Sequence, residues 1–501
     1  MFRPSARSRG RHANRTSAGS QGTLSSWTHS LVSQLQSERQ RRRVADRALD
    51  LYTNDAMAHG LLESLVVEGI GTGMTPSFTP QAAWLGRDEA WAADYASRAQ
   101  RVFESWGLDF RCWADAMRRL NFYGLQALAW FGWKLEGISA FQVITRADAM
   151  RPLSLALLPL DPFRLVTPRN AKGEVYDGIH IDADGAPQGI YVRKAGASTL
   201  APTTADCDYL SAWDERTGLP RVLLVCDVRN IAEYRQDSIL GPIIKEIRDS
   251  NDFVDAALVG ALVRNLFTLF IQDMSSRSTG DAITQRVVEM DKGTVLHGSP
   301  REVPHFFQHN AAPNGYRELF EGIVDRVGMS SGRGAESVLR RYQASYSASR
   351  ANMERTEQTN DYERVTLNTR FNHPVMAWMQ YEAALRGLLP ISPDDFRTHL
   401  HACAACQFLP QPMRHIDREK AASATAIDLA TGTTSYARIF GEQGQDWRQA
   451  LEHRARELAF IRQLEARYGV SLAPAPTTPQ ASAGRPAPQD NKEQADEPDP
   501  S

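Results

Sequence analysis

Two short motifs in this sequence have the pattern of a phosphate loop and of a nucleophile. Residues 69–74, GIGTGM, resemble a glycine-rich phosphate loop, and residues 328–332, GMSSG, have the G-x-S-x-G pattern of a serine nucleophile elbow. A dinucleotide fingerprint follows a strand and opens a helix, whereas here a helical pattern precedes and Thr75-Pro76 follows. The Ser330 motif also follows a helical pattern, so we expect a flexible loop rather than a strand-to-helix elbow.

The third candidate for chemistry is the pair Cys403 and Cys406, with His399, His401 and His415 nearby. Cysteine and histidine ligate zinc, but the sequence contains no second CxxC pair. Five cysteines are also too few, and odd in number, for a disulfide framework. We therefore predict two ordinary thiols and no bound metal.

No constellation of residues in the sequence is convincing as an active site. The P-loop pattern G-x-x-x-x-G-K-[ST] is absent, which argues against a nucleotide-driven motor, and the HExxH pattern of zinc proteases is absent too. We expect a protein that is not an enzyme, has no catalytic residues and uses no cofactor. A serine hydrolase acting through Ser330 is the enzymatic alternative.

Two sets of charged residues have a spacing that suits DNA. Acidic residues recur at every third position of one predicted helix, at Glu246, Asp249, Asp252 and Asp255. In a ring of such helices they could line a channel and repel DNA, or they could form a solvated helix face. Three arginines lie in and just after a Gly/Ser-rich loop, at Arg333, Arg340 and Arg341. They could touch phosphates or occupy a solvated turn.

The same helix has an apolar seam with heptad-like spacing, which predicts packing beside copies of itself. The seam consists of Ile244, Ile247, Val254, Leu258 and Ala261, with Asn251 and Asn265 at two further positions. Asparagine on such a seam costs stability but fixes register. The pattern therefore predicts a ring-forming subunit.

The two ends of the chain differ in composition from its middle. Residues 1–37 contain five arginines and no acidic residue, which predicts a disordered basic arm, and residues 473–501 predict a second disordered tail. The net charge of -2 gives no global attraction for nucleic acid. The N-terminus lacks the apolar core of a secretory signal. The most apolar stretch, 256–271, is short and contains Arg264, so we expect no membrane span.

The middle of the chain predicts an α+β fold that is mainly helical. Helical patterns cover 37–69 and the aromatic-rich residues 84–133, whose aromatics we expect in a core. Short strands follow from 141 to about 227, with a hairpin at Asp184-Gly185. Helices return from 241, and a long helix over about 338–388 is expected to kink at Pro374. The last predicted helix buries Leu451, Leu458, Ile461 and Leu464.

Seven segments, in this order, resemble the lambda-type family of tailed-phage portal proteins. They include residues 51–76, 106–128, 157–168, GIHIDADGAPQGIYVRK at 178–194, residues 238–263, ASYSASRANMER at 344–355 and QDWRQALEHRARE at 445–457. The sharpest pieces are Tyr346-Ser347-Ala348-Ser349-Arg350 and the two Gly-Ile pairs at 178 and 189. The chain departs from the family at 327–330, where Gly-Val-Pro is frequent, and at 160–164.

The resemblance implies the parts of a portal subunit. These are a basic arm (1–37), a wing of helices and antiparallel strands (38–237), a stem helix (238–271), a clip (272–313), a second stem helix (314–328), a tunnel loop (329–343), a long kinked helix (344–390), a crown-like helical region (391–472) and a tail (473–501). The arginines of the tunnel loop would then face DNA in the channel.

The resemblance also implies partners and a location. The subunit would form a dodecameric ring at one capsid vertex of the virion, after synthesis in the cytoplasm of the bacterial host. It would conduct double-stranded DNA without sequence specificity, bind terminase and then the head-tail adaptor, and contact capsid and scaffold proteins but no membrane. Another head-tail structural protein, such as an adaptor or a minor capsid protein, is the second interpretation.

Overall fold

The structure is a computed structural model that describes residues 38–197, 202–229, 233–265, 269–273, 302–306, 314–334, 336, 346–411, 418–442 and 447–472. The predicted arm (1–37), the predicted tail (473–501) and most of the predicted clip lie outside the described residues. The chain divides into two compact units, Met1–Arg414 and His415–Ser501.

Helices and short antiparallel strands make up the first unit, so the predicted α+β class is confirmed. Its helices are α1 (Glu38–Asn54), α2 (Ala56–Gly69), α3 (Glu89–Gly107), α4 (Phe122–Glu136), α5 (Ile244–Asn265), α6 (Asn314–Ser331), α7 (Tyr346–Leu367), α8 (His373–Leu385), α9 (Pro393–Thr398) and α10 (Leu400–Cys403). Its strands are β1 (Thr75–Phe78), β2 (Ser139–Thr145), β3 (Leu155–Leu160), β4 (Glu174–Tyr176), β5 (Ile179–Ile181), β6 (Pro187–Arg193), β7 (Cys207–Ser211), β8 (Val222–Val225), β9 (Leu269–Asp273), β10 (Glu302–Phe306) and β11 (Cys406–Leu409).

The aromatic-rich stretch supplies much of the main core, as the sequence predicts, but Phe110, which we expected there, is 90% exposed. Tyr95, Phe103 and Trp106 of α3 are fully buried, as are Phe122 and Trp130 of α4. The Trp106 indole also donates a hydrogen bond of 2.9 Å to the Leu155 carbonyl of β3, which satisfies its buried N–H. The expectation of helix throughout 84–133 is wrong for residues 108–121, which form a compact loop between α3 and α4.

Antiparallel pairing organises the strands into small sheets. A three-stranded sheet has the order β3-β2-β8, and a four-stranded sheet has the order β4-β5-β6-β7. The predicted hairpin at Asp184-Gly185 is present between β5 and β6, with Gly185 at φ +88°. The Asp182 carboxylate fixes this turn, because it accepts hydrogen bonds from the backbone amides of Asp184 and Ala186 at 2.9 and 2.8 Å.

The predicted long helix runs from Tyr346 to Leu385 with one interruption. A π-helical turn, Asn368–Asn372, separates α7 from α8 directly before Pro374. Proline has no backbone donor and clashes with the preceding turn, so a widened turn is the expected response. Phe371 in this turn is fully buried, which fixes the bend against the aromatic core.

Three predicted boundaries are wrong. Residues 269–271, expected at the end of a stem helix, belong to β9, which pairs with β10 and contains the β-favouring residues Phe270 and Ile271. Helix α6 continues to Ser331, three residues beyond its predicted end. Residues 391–409, expected in the crown, belong to the first unit, because β11 pairs with β1 and Phe396 is buried beneath α8.

The second unit contains helices over most of its described length. They are α11 (Arg418–Thr431), α12 (Tyr436–Glu442) and α13 (Trp447–Tyr468). Leu451, Ile461 and Leu464 of α13 are half-buried, but Leu458, which we expected on the same buried side, is exposed.

Candidate channel-lining site

Helix α5 has two halves with different surroundings. At its start, Ile247 is fully buried, together with Ile243 just before the helix, in a cluster with leucines of α2 and with Val327 of α6. Two turns later the apolar side chains are in contact with solvent, and Leu258 is 59% exposed. The seam is therefore divided: Ile244 and Ile247 pack within their own chain, contrary to our expectation, while Val254 and Leu258 remain uncovered.

Asn251 has a partner inside the chain as well. Its side-chain amide donates a hydrogen bond of 2.6 Å to the carboxylate of Asp55. The other oxygen of Asp55 caps the start of α2 by accepting from the amide of Ala58 at 2.6 Å. Asn251 thus helps to fix the position of α5 against the α1–α2 junction within its own chain. The side chains of Ala261 and Asn265 lie outside the described residues.

The four acidic residues of α5 fall into two groups. Glu246 forms an ion pair of 2.6 Å with Arg326 of α6, which neutralises it. Asp249, Asp252 and Asp255 are exposed on the following turns. The structure thus brings three of the four predicted carboxylates together on a solvent-facing part of α5.

Arg333 is buried immediately after the end of α6. Only 1% of its side chain is exposed, and it lies 3.2 Å from the Glu363 carboxylate and 2.5 Å from the Asn360 side-chain oxygen, both on α7. It also donates a hydrogen bond of 3.0 Å to the carbonyl of Ser331. The phosphate contact that we expected would require these bonds to break, so Arg333 serves as an internal anchor in this conformation. Arg340 and Arg341 lie outside the described residues.

Lys134 of α4 completes the cluster around Glu363. Its ammonium lies 2.5 Å from the second oxygen of Glu363 and over the ring of Trp133, 3.8 Å from the ring centre. Burial, which penalises the charged ammonium, lowers the pKa of Lys134 to about 8, although Glu363 opposes the shift. Glu363 of α7 therefore connects Arg333, after the end of α6, to Lys134 of α4 through two ion pairs.

The C-terminus of α2 joins the same network. Arg364 donates hydrogen bonds to the carbonyls of Gly69 and Glu68, at 2.8 and 3.1 Å, and so satisfies the unpaired carbonyls at the end of α2. Its guanidinium is held in turn by Glu357 at 2.5 Å. Sequence reasoning missed this network, although the spacing of Glu357, Asn360, Glu363 and Arg364 on a helix that buries Leu367 was an available signal.

The end of α6 is a defined helix cap rather than the start of a flexible loop. The amide of Arg333 donates to the carbonyl of Gly328 at 3.0 Å, and the amide of Gly332 donates to that of Met329 at 3.3 Å. These two bonds, with Gly332 at φ +71°, form a Schellman motif. Ser330 lies in the last turn of α6, so the G-x-S-x-G pattern does not form a strand-to-helix elbow.

The other two motifs are also explained by local structure. Residues 69–74 connect the end of α2 to β1, the reverse of the order that a phosphate loop needs, and Gly69 leaves room for the indole of Trp130. Cys403 and Cys406 are buried. Burial raises the pKa of the Cys403 thiol to about 11, which disfavours its thiolate form. His415 lies outside the described residues.

A family comparison identifies the protein class to which this arrangement belongs. The sequence model described as "Phage portal protein, lambda family" matches residues 20–364, more than half of the chain. The chain belongs to the lambda family of phage portal proteins. Among curated proteins, no significant match is found for this portal subunit.

Several solved structures are similar to this portal protein at low sequence identity. A chain from the virion of a native gene transfer agent particle is 12% identical, with a TM-score of 0.38, and the match covers 76% of this chain and 98% of that one. A chain from the neck of an empty gene transfer agent particle is 10% identical, with a TM-score of 0.44 and coverage of 79% and 93%. An HK97 family phage portal protein from Corynebacterium diphtheriae is 10% identical, with a TM-score of 0.30 and coverage of 72% and 93%.

Among the described helices, none is both long and apolar enough to cross a bilayer.

Proposed function

We propose that this portal subunit assembles into a dodecameric ring at one capsid vertex and conducts double-stranded DNA during packaging and ejection. The role is structural and involves no catalysis, cofactor or sequence-specific DNA recognition. Family membership supports the proposal. The structural observation that carries it is the outer half of α5, where apolar side chains such as Leu258, which is 59% exposed, face solvent in the single subunit.

The proposed ring assigns a role to each part of the chain. Residues 38–237 form the wing, α5 and α6 form the stem, residues 272–313 form the clip, and residues beyond about 414 form the crown. The loop 332–343 lies at the channel, where Arg340 and Arg341 touch DNA phosphates one at a time. These contacts are weak and screened by salt, because a strong site would stall the moving duplex.

The exposed acids of α5 support a repulsive channel wall. Asp249, Asp252 and Asp255 are exposed while the helix base is fixed by Ile247 and by the Asn251–Asp55 bond. In a ring, copies of these carboxylates would surround the duplex and keep it from adhering.

The proposed partners follow from the family. The clip binds terminase during packaging and the head-tail adaptor afterwards, and the wing contacts capsid and scaffold proteins. The protein is made in the bacterial cytoplasm and resides at the portal vertex of the virion.

Ring formation is tested by native mass spectrometry and electron microscopy of purified Leu258→Glu protein. We expect loss of rings with an unchanged circular dichroism spectrum, because an exposed leucine does not stabilise the single subunit. Leu385→Glu is the matched control, since Leu385 of α8 is 53% exposed but lies on another surface. Rings that survive Leu258→Glu, or wild-type protein that stays monomeric across salt and concentration, would refute the proposed assembly.

A further inference from the structure

The loop between α3 and α4, residues 108–121, is built to hold one conformation. The carboxylate of Asp115 is fully buried and accepts hydrogen bonds from the amides of Met117, Arg119 and Leu120, at 2.9, 2.9 and 3.1 Å. The loop is also joined to β3, because the amide of Ala116 donates to the carbonyl of Leu157 at 2.8 Å and the amide of Leu157 donates back to Ala114 at 2.8 Å.

The conformation of this loop is strained at two positions. Cys112 and Arg118 both have φ of +54°, a left-handed conformation that side chains other than glycine rarely adopt. Each such residue costs about 1–2 kcal/mol and persists only where the surroundings fix it. Buried Arg151 supplies part of this restraint, since it donates hydrogen bonds to the carbonyls of Trp113 and Leu155.

The loop displays large apolar side chains to solvent. Phe110 is 90% exposed, whereas Phe103, Trp106 and Phe122 of the flanking helices are fully buried. Met117 of the loop and Met150 of the neighbouring segment 146–151 are exposed as well. The two segments meet at the ring of Trp113, where Arg118 stacks at 4.3 Å and forms an ion pair of 2.7 Å with Asp148. Exposed phenylalanine and methionine on a rigid loop are typical of binding surfaces.

The charges around these apolar side chains are mostly positive. Arg111 and Arg118 are held by Asp109 and Asp148, each at 2.7 Å. Arg119 and Arg146 are exposed, and among the described residues neither has a carboxylate partner. The surface thus combines apolar side chains with two unneutralised guanidinium groups, which complement carboxylates.

We propose that the surface formed by Phe110, Met117, Met150, Arg119 and Arg146 binds a segment of another protein in which apolar side chains stand beside carboxylates. Duplex DNA is the weaker fit, because a phosphate backbone would leave the exposed side chains of Phe110, Met117 and Met150 without an apolar surface to pack against. The inference goes beyond the ring and its channel, and it can be tested on the subunit whatever its assembly state.

The test uses a library of random short peptides displayed on yeast and selected on the purified full-length chain. We expect the enriched peptides to combine Phe, Leu or Met with Asp or Glu, and to bind at least about tenfold more weakly to Phe110→Ser, the loss expected for a central aromatic contact. The double variant Arg119→Glu, Arg146→Glu should weaken the same peptides and favour basic ones. Because Phe110 is 90% exposed, its substitution leaves the fold intact.

Trp84→Ser is the matched control, since Trp84 is also a highly exposed aromatic, at 70%, on a different surface. Its peptide binding should equal that of the wild type. Enrichment that does not depend on Phe110, enriched peptides without carboxylates, or tighter binding of a DNA duplex than of any selected peptide would each overturn the proposal. Ring formation is measured separately. Its failure would refute the proposed function but would leave the peptide-binding proposal standing.

Discussion

At the scale of single residues, the burial of an arginine's ion pair decides how much that arginine contributes to the stability of the fold. Arg333 and Arg326 lie seven positions apart, but Arg333 is enclosed with Glu363 and Asn360, whereas the pair of Arg326 with Glu246 is largely exposed on the arginine side. Desolvated ion pairs are costly to break, while exposed pairs contribute little. The two arginines therefore form a matched test of the anchor.

We predict that Arg333→Ala lowers the free energy of unfolding by about 3 kcal/mol, because Glu363 loses one of its two cationic partners while Lys134 remains. Arg326→Ala should cost no more than about 1 kcal/mol. Denaturant unfolding followed by fluorescence measures both. Equal losses for the two variants would contradict the anchoring role of Arg333.

Glu136 at the end of α4 makes stability depend on pH. Burial, with a smaller contribution from the Asp161 carboxylate, raises its pKa from 4.5 to about 7, and its Oε2 has no hydrogen-bond partner among the described residues. The folded state therefore holds a proton that the unfolded state releases. The stability contributed by this group is fully present below pH 4.5 and is lost as the pH rises through about 7.

We predict that Glu136→Gln removes this dependence. Between about pH 5 and pH 8 the wild type should lose about 2 kcal/mol of stability relative to the variant, since one pKa unit corresponds to about 1.4 kcal/mol. Thermal unfolding of both proteins across this range is the measurement. A constant difference between the two melting temperatures would show that Glu136 keeps its ordinary pKa.

At the scale of elements, two glycines of α6 and its cap should respond in opposite ways to a substitution by alanine. Gly332 adopts φ +71° at the Schellman cap, and an added Cβ would lie 3.2 Å from the methyl group of Thr359. Gly322 lies within α6, and an added Cβ would meet nothing within 4 Å. A side chain is thus strained at the first position and tolerated at the second.

We predict that Gly332→Ala destabilises the subunit by about 1–2 kcal/mol, the cost of a left-handed alanine. Gly322→Ala should instead stabilise it by about 0.5–1 kcal/mol, because alanine restricts the unfolded chain and favours the helix. Melting temperatures that move in opposite directions would establish the cap. A melting temperature that is unchanged or raised by Gly332→Ala would mean that the loop after α6 does not need this conformation.

Elements with a strong internal period could be predicted from the sequence, and those that depend on distant partners could not. The aromatic core, the β5–β6 hairpin and the interruption before Pro374 follow from local patterns. The pairing of β11 with β1 joins residues more than 300 positions apart, and no local sequence pattern predicts which strand pairs with β1. Likewise, Arg333 stands in a Gly/Ser-rich run typical of exposed loops, and only the fold brings Glu363 and Asn360 to it.

At the scale of the whole molecule, α5 joins the interior of one subunit to the proposed channel. Its base is fixed by Ile247 and by Asn251, so its outer half cannot turn to hide Leu258 without breaking those contacts. The exposed acids on that half are therefore held in place as well. Their effect on DNA should depend on charge and not on fold.

We predict that the triple variant Asp249→Asn, Asp252→Asn, Asp255→Asn forms rings as the wild type does but binds duplex DNA about tenfold more tightly at low salt, because each ring would lose repulsive charges from every copy. The gain should shrink toward about 0.5 M salt, where screening shortens the reach of these charges to a few ångströms. Fluorescence anisotropy of a labelled duplex, titrated with assembled rings at several salt concentrations, measures the effect.

The control for this prediction has the same net charge change on other surfaces, with asparagine replacing the exposed residues Asp184, Asp208 and Asp394. If the acids of α5 face the duplex, only the α5 variant gains DNA affinity, since charges more than a Debye length from the channel are screened. Equal gains for both triple variants would mean that the ring's total charge matters and that α5 does not line the channel. No gain for either would remove the repulsive wall from the proposed mechanism while leaving ring assembly, tested through Leu258, unaffected.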